Sequence, residues 1–260
     1  NHNSLFFFID WFVAVLIRRK FKTVISGGIV NICVPAGNNQ PTLCIVISCF
    51  PNSINEYLVS VYIWSVYTEC LHGMPSKCPI RVAVPVNLRP YFNSITTKNF
   101  FVMVSAEFHP TKETYTFAEV AAIVKESLRS QINRENLEKL FSYNVSNEKL
   151  LIARVVPLFL KNLAMKYVYT TSALANTATI TNIGNISVTE EYRPYVEMFH
   201  AFLAMSKGQH LKGTICSYGD TLVFSFSYDL VDASVQRGFF RKIASDGIAV
   251  EIKSNGVNYE

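Results

Sequence analysis

Two polar clusters set against apolar runs are where residue type and spacing could do chemistry in this chain. The first holds Asn87, Arg89, Thr96, Thr97, Lys98 and Asn99, between the runs Ile80–Val86 and Phe100–Phe108. The second is Thr181 and Asn182, which close the run Thr177–Thr181 and precede Ile183 and Gly184. Amides, hydroxyls and a guanidinium donate hydrogen bonds and do not take protons near neutral pH. Ordinary turn chemistry also accounts for both, as an elbow between strands and a β-bulge or turn at Gly184. A proton acceptor would most simply be a histidine. The five present are His2, His72, His109, His200 and His210, and each reads as a surface or loop residue. No G-x-S-x-G elbow, H-E-x-x-H pair or P-loop occurs, and Gly27-Gly28 lacks the G-x-G-x-x-G spacing.

The elements that position these clusters are legible from Ser53 onward. Ile80, Val82, Val84 and Val86 alternate as a strand, and Pro85 should end it or mark a sheet edge. Ser53-Ile-Asn-Glu56 is a capping box that opens a helix apolar nearly all round, closed by Gly73. Thr116-Phe-Ala-Glu119 is a second, opening an amphipathic helix on Phe117, Val120, Ala121, Val124 and Leu128. The polar stretch 136–149 should contain another helical turn or two. A helix after Pro157 should use Leu158, Leu160, Leu163 and Ala164 as its stripe. Further strands are expected near 43–48, 100–108, 177–182, 213–217, 221–228 and 248–252, the fourth and fifth forming a hairpin turned at Tyr218-Gly219-Asp220. A last helix carries Val235, Phe239, Phe240 and Ile243 and stops at Gly247.

Residues 1–52 read as an apolar segment of a different kind. Leu5–Ile17 holds 13 residues, interrupted by Asp10. That is shorter than the roughly 20 a spanning helix needs, so a short buried or surface-lying helix is expected, with a membrane anchor as the alternative. Residues 21–50 read as irregular apart from Leu43–Ser48.

At 260 residues, half of them apolar and 17% charged, the chain can build a sizeable core. The net charge of +5 is spread along the sequence, which argues against a nucleic-acid stripe. The six cysteines form no C-x-x-C pair and read as structural thiols of a reducing, cytoplasmic compartment, with no metal site. Asn144-Val-Ser146 and Asn185-Ile-Ser187 match the glycosylation sequon by chance.

An ordered set of segments carries a resemblance. PVNLRPYF, then NFF, then TNIG, then VQRGFF, then GIAVEIKSN, together with the helix SINEYLVSVYIWSVY, resembles the second half of the coenzyme A-dependent acyltransferases. The match is to their alcohol acetyltransferase and condensation-domain branch, and covers roughly residues 53–255. The resemblance implies an α/β fold like that of chloramphenicol acetyltransferase: a two-layer sandwich whose mixed sheet is covered by helices. It implies O-acetyl transfer from acetyl-CoA, as cosubstrate, to a small alcohol, with no covalently bound cofactor. Residues 53–260 would be the C-terminal subdomain. Thr181 and Asn182 would line the substrate channel and offer hydrogen bonds to the substrate or the oxyanion, with Asn87, Arg89 and Asn99 beside them.

The family's base lies in a His-His-x-x-x-Asp-Gly motif. His2, His72, His200 and His210 have no Asp four positions on, and His109, followed by Glu113, has neither the paired His nor the Gly. The expectation is therefore a chain inactive alone, partnered by a missing N-terminal half of the same protein. The alternatives are a catalytically dead binding or scaffold module of the same fold, and half of a condensation domain.

Overall fold

The computed structural model describes residues 13–17, 28–34, 53–96, 99–149, 157–205 and 208–254. In chain order the elements are β1 (Val13–Ile17), β2 (Gly28–Val34), α1 (Ile54–Glu69), β3 (Ile80–Asn87), the short α2 (Arg89–Phe92), β4 (Phe101–Phe108) and α3 (Phe117–Gln131). Then follow α4 (Arg134–Lys149), α5 (Leu158–Leu174), β5 (Ala178–Asn185), β6 (Phe199–Leu203), β7 (Leu211–Tyr218), β8 (Thr221–Tyr228), α6 (Ser234–Ser245) and β9 (Glu251–Ser254).

Seven strands form one mixed sheet in the order β4-β3-β5-β7-β8-β2-β9, and β1 pairs with β6 in a separate ribbon. β3, β5 and β7 run parallel, and the other neighbours are antiparallel. Period two decides which side chains meet the helices. Val82, Val84, Ala178, Ile180, Leu211, Ile215, Phe224 and Phe226 share one face and one core with α1, α3 and α6. This is the α/β architecture that the resemblance implies.

Both capping boxes form as the sequence predicts: Ser53 accepts from Glu56 N, Thr116 accepts from Glu119 N, and each Glu reaches back. α1 is buried on nearly every side because α3 and α6 flank it above the sheet. Glu56 does two jobs. It caps α1 through Ser53 N at 2.9 Å and takes the Arg129 guanidinium of α3 on both oxygens, at 2.8 and 3.2 Å. On the other flank Tyr57 donates to Asp246 Oδ2 at 2.7 Å. Burial, reinforced by that carboxylate, raises the Tyr57 hydroxyl pKa well above its ordinary value. Asp246 also takes the Lys242 ammonium, which lies 4.1 Å from the centre of the Phe117 ring.

The outer edge of β4 is closed by side chains of α3. Gln131 exchanges bonds with the backbone of Ser105, accepting at 3.2 Å and donating at 2.8 Å, and Ser127 accepts from Glu107 N at 3.1 Å. An edge strand whose backbone is satisfied this way is a poor template for another chain.

Four expectations are corrected. Val13–Ile17, read as the end of a helix, is a strand paired with β6. Val13, Val15 and Ile17 are β-branched at period two, but inside a continuous apolar run that signal does not separate helix from strand. Gly28–Val34, read as irregular, is a strand between β8 and β9. The polar stretch expected to hold a turn or two is the 16-residue helix α4. The intended stripe of α5, Leu158, Leu160, Leu163 and Ala164, faces solvent instead of the core. The remaining strands appear within a few residues of their expected positions, while the expected strand 43–48, and residues 1–12, lie outside the described residues.

Candidate functional site

Pro85 shapes the sheet where the first polar cluster begins. Arg81 turns both backbone groups toward β5: its carbonyl accepts from Thr177 N at 2.8 Å and its N–H donates to Thr177 Oγ1 at 3.2 Å. Backbone groups alternate along a strand, so Ala83, Pro85 and Asn87 face β5 as well. Pro85 has no N–H to give. The parallel ladder with β5 accordingly consists of Val82–Ala178 and Ala83–Thr179 and ends there, although β3 runs on to Asn87 beside β4. The sequence predicted that Pro85 would stop the strand or mark an edge. It does neither outright; it leaves β3 intact to Asn87, and the pairing with β5 ends before Thr181.

Past the end of this pairing, Asn87 and Arg89 build the elbow. Asn87 Oδ1 accepts from Arg89 N at 3.1 Å and from its guanidinium at 3.2 Å, while Arg89 Nε donates to Thr96 O at 2.9 Å. Asn87 and Asn99 are exposed and Arg89 is half-buried. Thr97 and Lys98 lie outside the described residues.

β5 does not stop at Asn182; it bulges. Its register against β7 shifts between Asn182 and Asn185, and Gly184 takes φ +87°, a conformation that favours glycine. Asn182 Oδ1 accepts from Gly184 N at 2.7 Å, and its Nδ2 donates to Asn55 Oδ1 at 2.7 Å. Asn182 therefore points to the helix-covered face and ties the bulge to the start of α1. Thr181, its neighbour, points to the other face.

That second face carries rows of hydroxyls the sequence reading did not assemble. Thr181 pairs with Thr214 of β7, and Thr214 with Ser225 of β8. One step along, Thr179 pairs with Lys212, and Lys212 with Ser227. All six are buried. Among the described residues Ser225 Oγ has no hydrogen-bond partner. Thr179 Oγ1 meets Gln209 Oε1 at 3.2 Å, and Lys212 Nζ donates to Ala204 O at 2.8 Å. Desolvation lowers the Lys212 pKa to about 8. The ribbon strand β6 lies over this face, with Phe199 and Ala201 against Cys216 and Val223. Ser225 and Ser227 were visible in FSFSY as the outward set of a hairpin strand; only the sheet order puts them beside Thr214 and Thr181.

The imidazoles are elsewhere. His109 follows β4, and its Nε2 lies 2.6 Å from Glu107 Oε1. Arg81 also holds that carboxylate, and its hydrogen bond is the largest influence lowering the Glu107 pKa. His210 precedes β7 and pairs with Asp229 at 3.0 Å. His72 lies in the loop before β3. These three sit where β3, β5 and β7 begin, and Thr181, the fourth residue of β5, lies on the order of 10 Å further along the strand. His200 alternates with Phe199 and Ala201 and so turns to the outer face of the ribbon, while His2 lies outside the described residues. The described residues place no imidazole on the sheet face beside Thr181. The arrangement can donate hydrogen bonds in a water-poor setting, and among the described residues it supplies no imidazole there.

No family model matches the sequence, and none of the curated proteins matches it. Solved structures do match the fold. A trichothecene 15-O-acetyltransferase from Fusarium sporotrichioides superposes with TM-score 0.57 at 13% identity, over 87% of this chain and 48% of its own length. The nonribosomal peptide synthetase FmoA3 gives 0.55 at 16% identity, over 85% of this chain and 22% of its own. The polyketide synthase associated protein 5 from Mycobacterium tuberculosis gives 0.54 at 10% identity, over 84% and 52%. The chain spans about half the length of the acetyltransferase and of the associated protein. The likeness establishes the acyltransferase and condensation-type α/β fold.

Proposed function

We propose that this chain is the second half of a coenzyme A-dependent O-acyltransferase that moves an acetyl group from acetyl-CoA to a small alcohol in the cytoplasm. In this reading it supplies one wall of the acyl-transfer channel, and a preceding half supplies the catalytic histidine. One observation carries the reading: the ladder between β3 and β5 ends at Ala83–Thr179, before Pro85, and a buried hydroxyl row runs from Thr181 just beyond that end. The fold it shares with an O-acetyltransferase supports it.

The chemistry assigned to these residues is electrostatic. A base outside this chain takes the alcohol proton as the oxygen attacks the thioester carbonyl. Negative charge grows on the carbonyl oxygen, which Thr181 Oγ1 stabilises by donating a hydrogen bond; the thiolate of CoA then leaves and is protonated. Such a donor is worth more in a dry site than in water. Asn182 and Asn55 hold the bulge that sets where Thr181 stands. That no imidazole stands beside Thr181 among the described residues also favours a second reading, a binding or scaffold module on the same fold.

The test is a longer chain that includes an upstream His-His-x-x-x-Asp-Gly segment, assayed for thiol release from acetyl-CoA with short alcohols. Thr181→Val should lower kcat by roughly 100-fold and leave KM nearly unchanged. If Thr181→Val has no effect on kcat in an active longer chain, Thr181 does not face the reacting carbonyl. No turnover with any acyl-CoA and alcohol would favour the binding module.

A further inference from the structure

Ser225 holds an unmet hydrogen bond inside the protein. The residue is 1% exposed, and among the described residues its Oγ has no hydrogen-bond partner. A buried polar group left in this state costs stability, and native interiors keep few of them. Phe224 and Phe226, its neighbours along β8, turn to the helical core, so Ser225 turns to the opposite face. An outward serine of a hairpin strand ordinarily bonds to water; this one is buried away from it.

The strand register says what could meet that hydroxyl. Ser225 stands opposite Thr214 of β7, which stands beside Thr181 of β5. Neighbouring strands lie about 5 Å apart, so Ser225 is about 10 Å from Thr181 with Thr214 midway. The next pair along, Cys216–Val223, is apolar and covered by Phe199 and Ala201 of the ribbon. On the other side lies the row of Thr179, Lys212 and Ser227. The hydroxyl row is therefore bounded by an apolar edge and a polar one, and it crosses the strands. It contains no carboxylate, so it suits a neutral oxygen and not a cation.

We propose that Ser225 is a substrate-contact residue, whose hydroxyl donates to a second oxygen on the acceptor alcohol, roughly 10 Å from the hydroxyl that is acylated. That second oxygen is a hydroxyl or a carbonyl. The inference rests on the acyl-transfer reading, in which the reacting carbonyl sits at Thr181, and it narrows the acceptor to alcohols with two oxygen functions. Ser225 takes no part in the bond changes. It holds the far end of the acceptor, and an alcohol without the second oxygen leaves a buried donor unpaired and is disfavoured.

Thiol release from acetyl-CoA by the longer chain tests it, with 1,6-hexanediol and 1,8-octanediol set against 1-hexanol and 1-octanol. At least one diol should show kcat/KM about 10-fold or more above the alkanol of its length, mostly through KM. Ser225→Ala should abolish that preference, whereas a purely structural serine would affect diol and alkanol alike. In the 260-residue chain the same variant should not lower the melting temperature, because the hydroxyl it removes has no partner there. The proposal is overturned if the parent uses diols and alkanols equally, or if the preference survives Ser225→Ala, which would assign Oγ to a buried water. It is equally overturned if the variant melts several degrees lower. No thiol release with any acceptor, alkanols included, would instead count against the acyl-transfer reading. Calorimetric titration of the 260-residue chain with 1,8-octanediol then decides the site by itself: binding that Ser225→Ala removes supports it, and no binding overturns it.

Discussion

Lys212 brings a buried charge into the rows of hydroxyls on the face away from the helices. Burial lowers its pKa from 10.5 to about 8, so between those pH values the folded chain binds fewer protons than the unfolded chain. Stability should therefore rise as pH climbs from about 8 to about 10.5, and the full penalty applies below that window. The size is on the order of 3 kcal/mol. Lys212→Met should abolish this rise and leave the protein at least as stable at pH 7, because the exposed Ala204 carbonyl can bond to water instead. Urea midpoints measured across that pH range decide it; an unchanged slope in the variant would remove Lys212 as the cause. Asn182 works in the opposite sense. Asn182→Ala leaves Asn55 and the Gly184 N–H without their partner and should cost about 1–3 kcal/mol in urea unfolding. The sequence marked Asn182 as a residue of interest because a polar pair follows a strand. It could not say that Thr181 and Asn182 serve opposite faces, because that depends on which face the helices cover.

At the scale of elements, local signals and tertiary ones separate. The capping boxes at Ser53 and Thr116 were legible because the reciprocal bonds involve residues three apart in sequence. That Glu56 also grips Arg129, 73 residues away, was not. Glu56→Ala should therefore cost more than a lost cap alone, about 2–4 kcal/mol, since Arg129 loses its bidentate partner too. Thermal melts of Glu56→Ala, Arg129→Ala and the double variant give the coupling; strict additivity would contradict it. Gly213 shows the same limit in the sheet. A Cβ there would come within 2.8 Å of Phe224 Cζ and 3.1 Å of Ile180 Cγ1, so Gly213→Ala should cost about 1–3 kcal/mol by overpacking. Nothing local in LKGTICSY announces that contact. The strands β1 and β2 escaped notice for a related reason: in an unbroken apolar run, strand and helix look alike until a partner such as β6 or β8 selects one. The stripe of α5 was read correctly as a stripe and assigned to the wrong side, because periodicity gives a face but not the solvent that meets it.

At the scale of the whole molecule, the sheet is one layer with two different surfaces. The helical side is aromatic and closed, built on Tyr62, Phe108, Phe224, Phe226 and Phe239. The other carries buried hydroxyls where the pairing of β3 with β5 ends, while the three partnered or loop imidazoles at 72, 109 and 210 stand where the parallel strands begin. The resemblance implied that PVNLR and TNIG lie near each other, and the parallel pairing of β3 with β5 brings them toward the same end of the sheet. The central claim is that this chain holds a wall for acyl transfer and not its base. Thiol release from acetyl-CoA in the presence of short alcohols, measured on the 260-residue chain alone and on a longer chain carrying an upstream His-His-x-x-x-Asp-Gly segment, tests it most directly. The account predicts the uncatalysed background for the first and turnover for the second. Sustained turnover by the 260-residue chain on its own would contradict it.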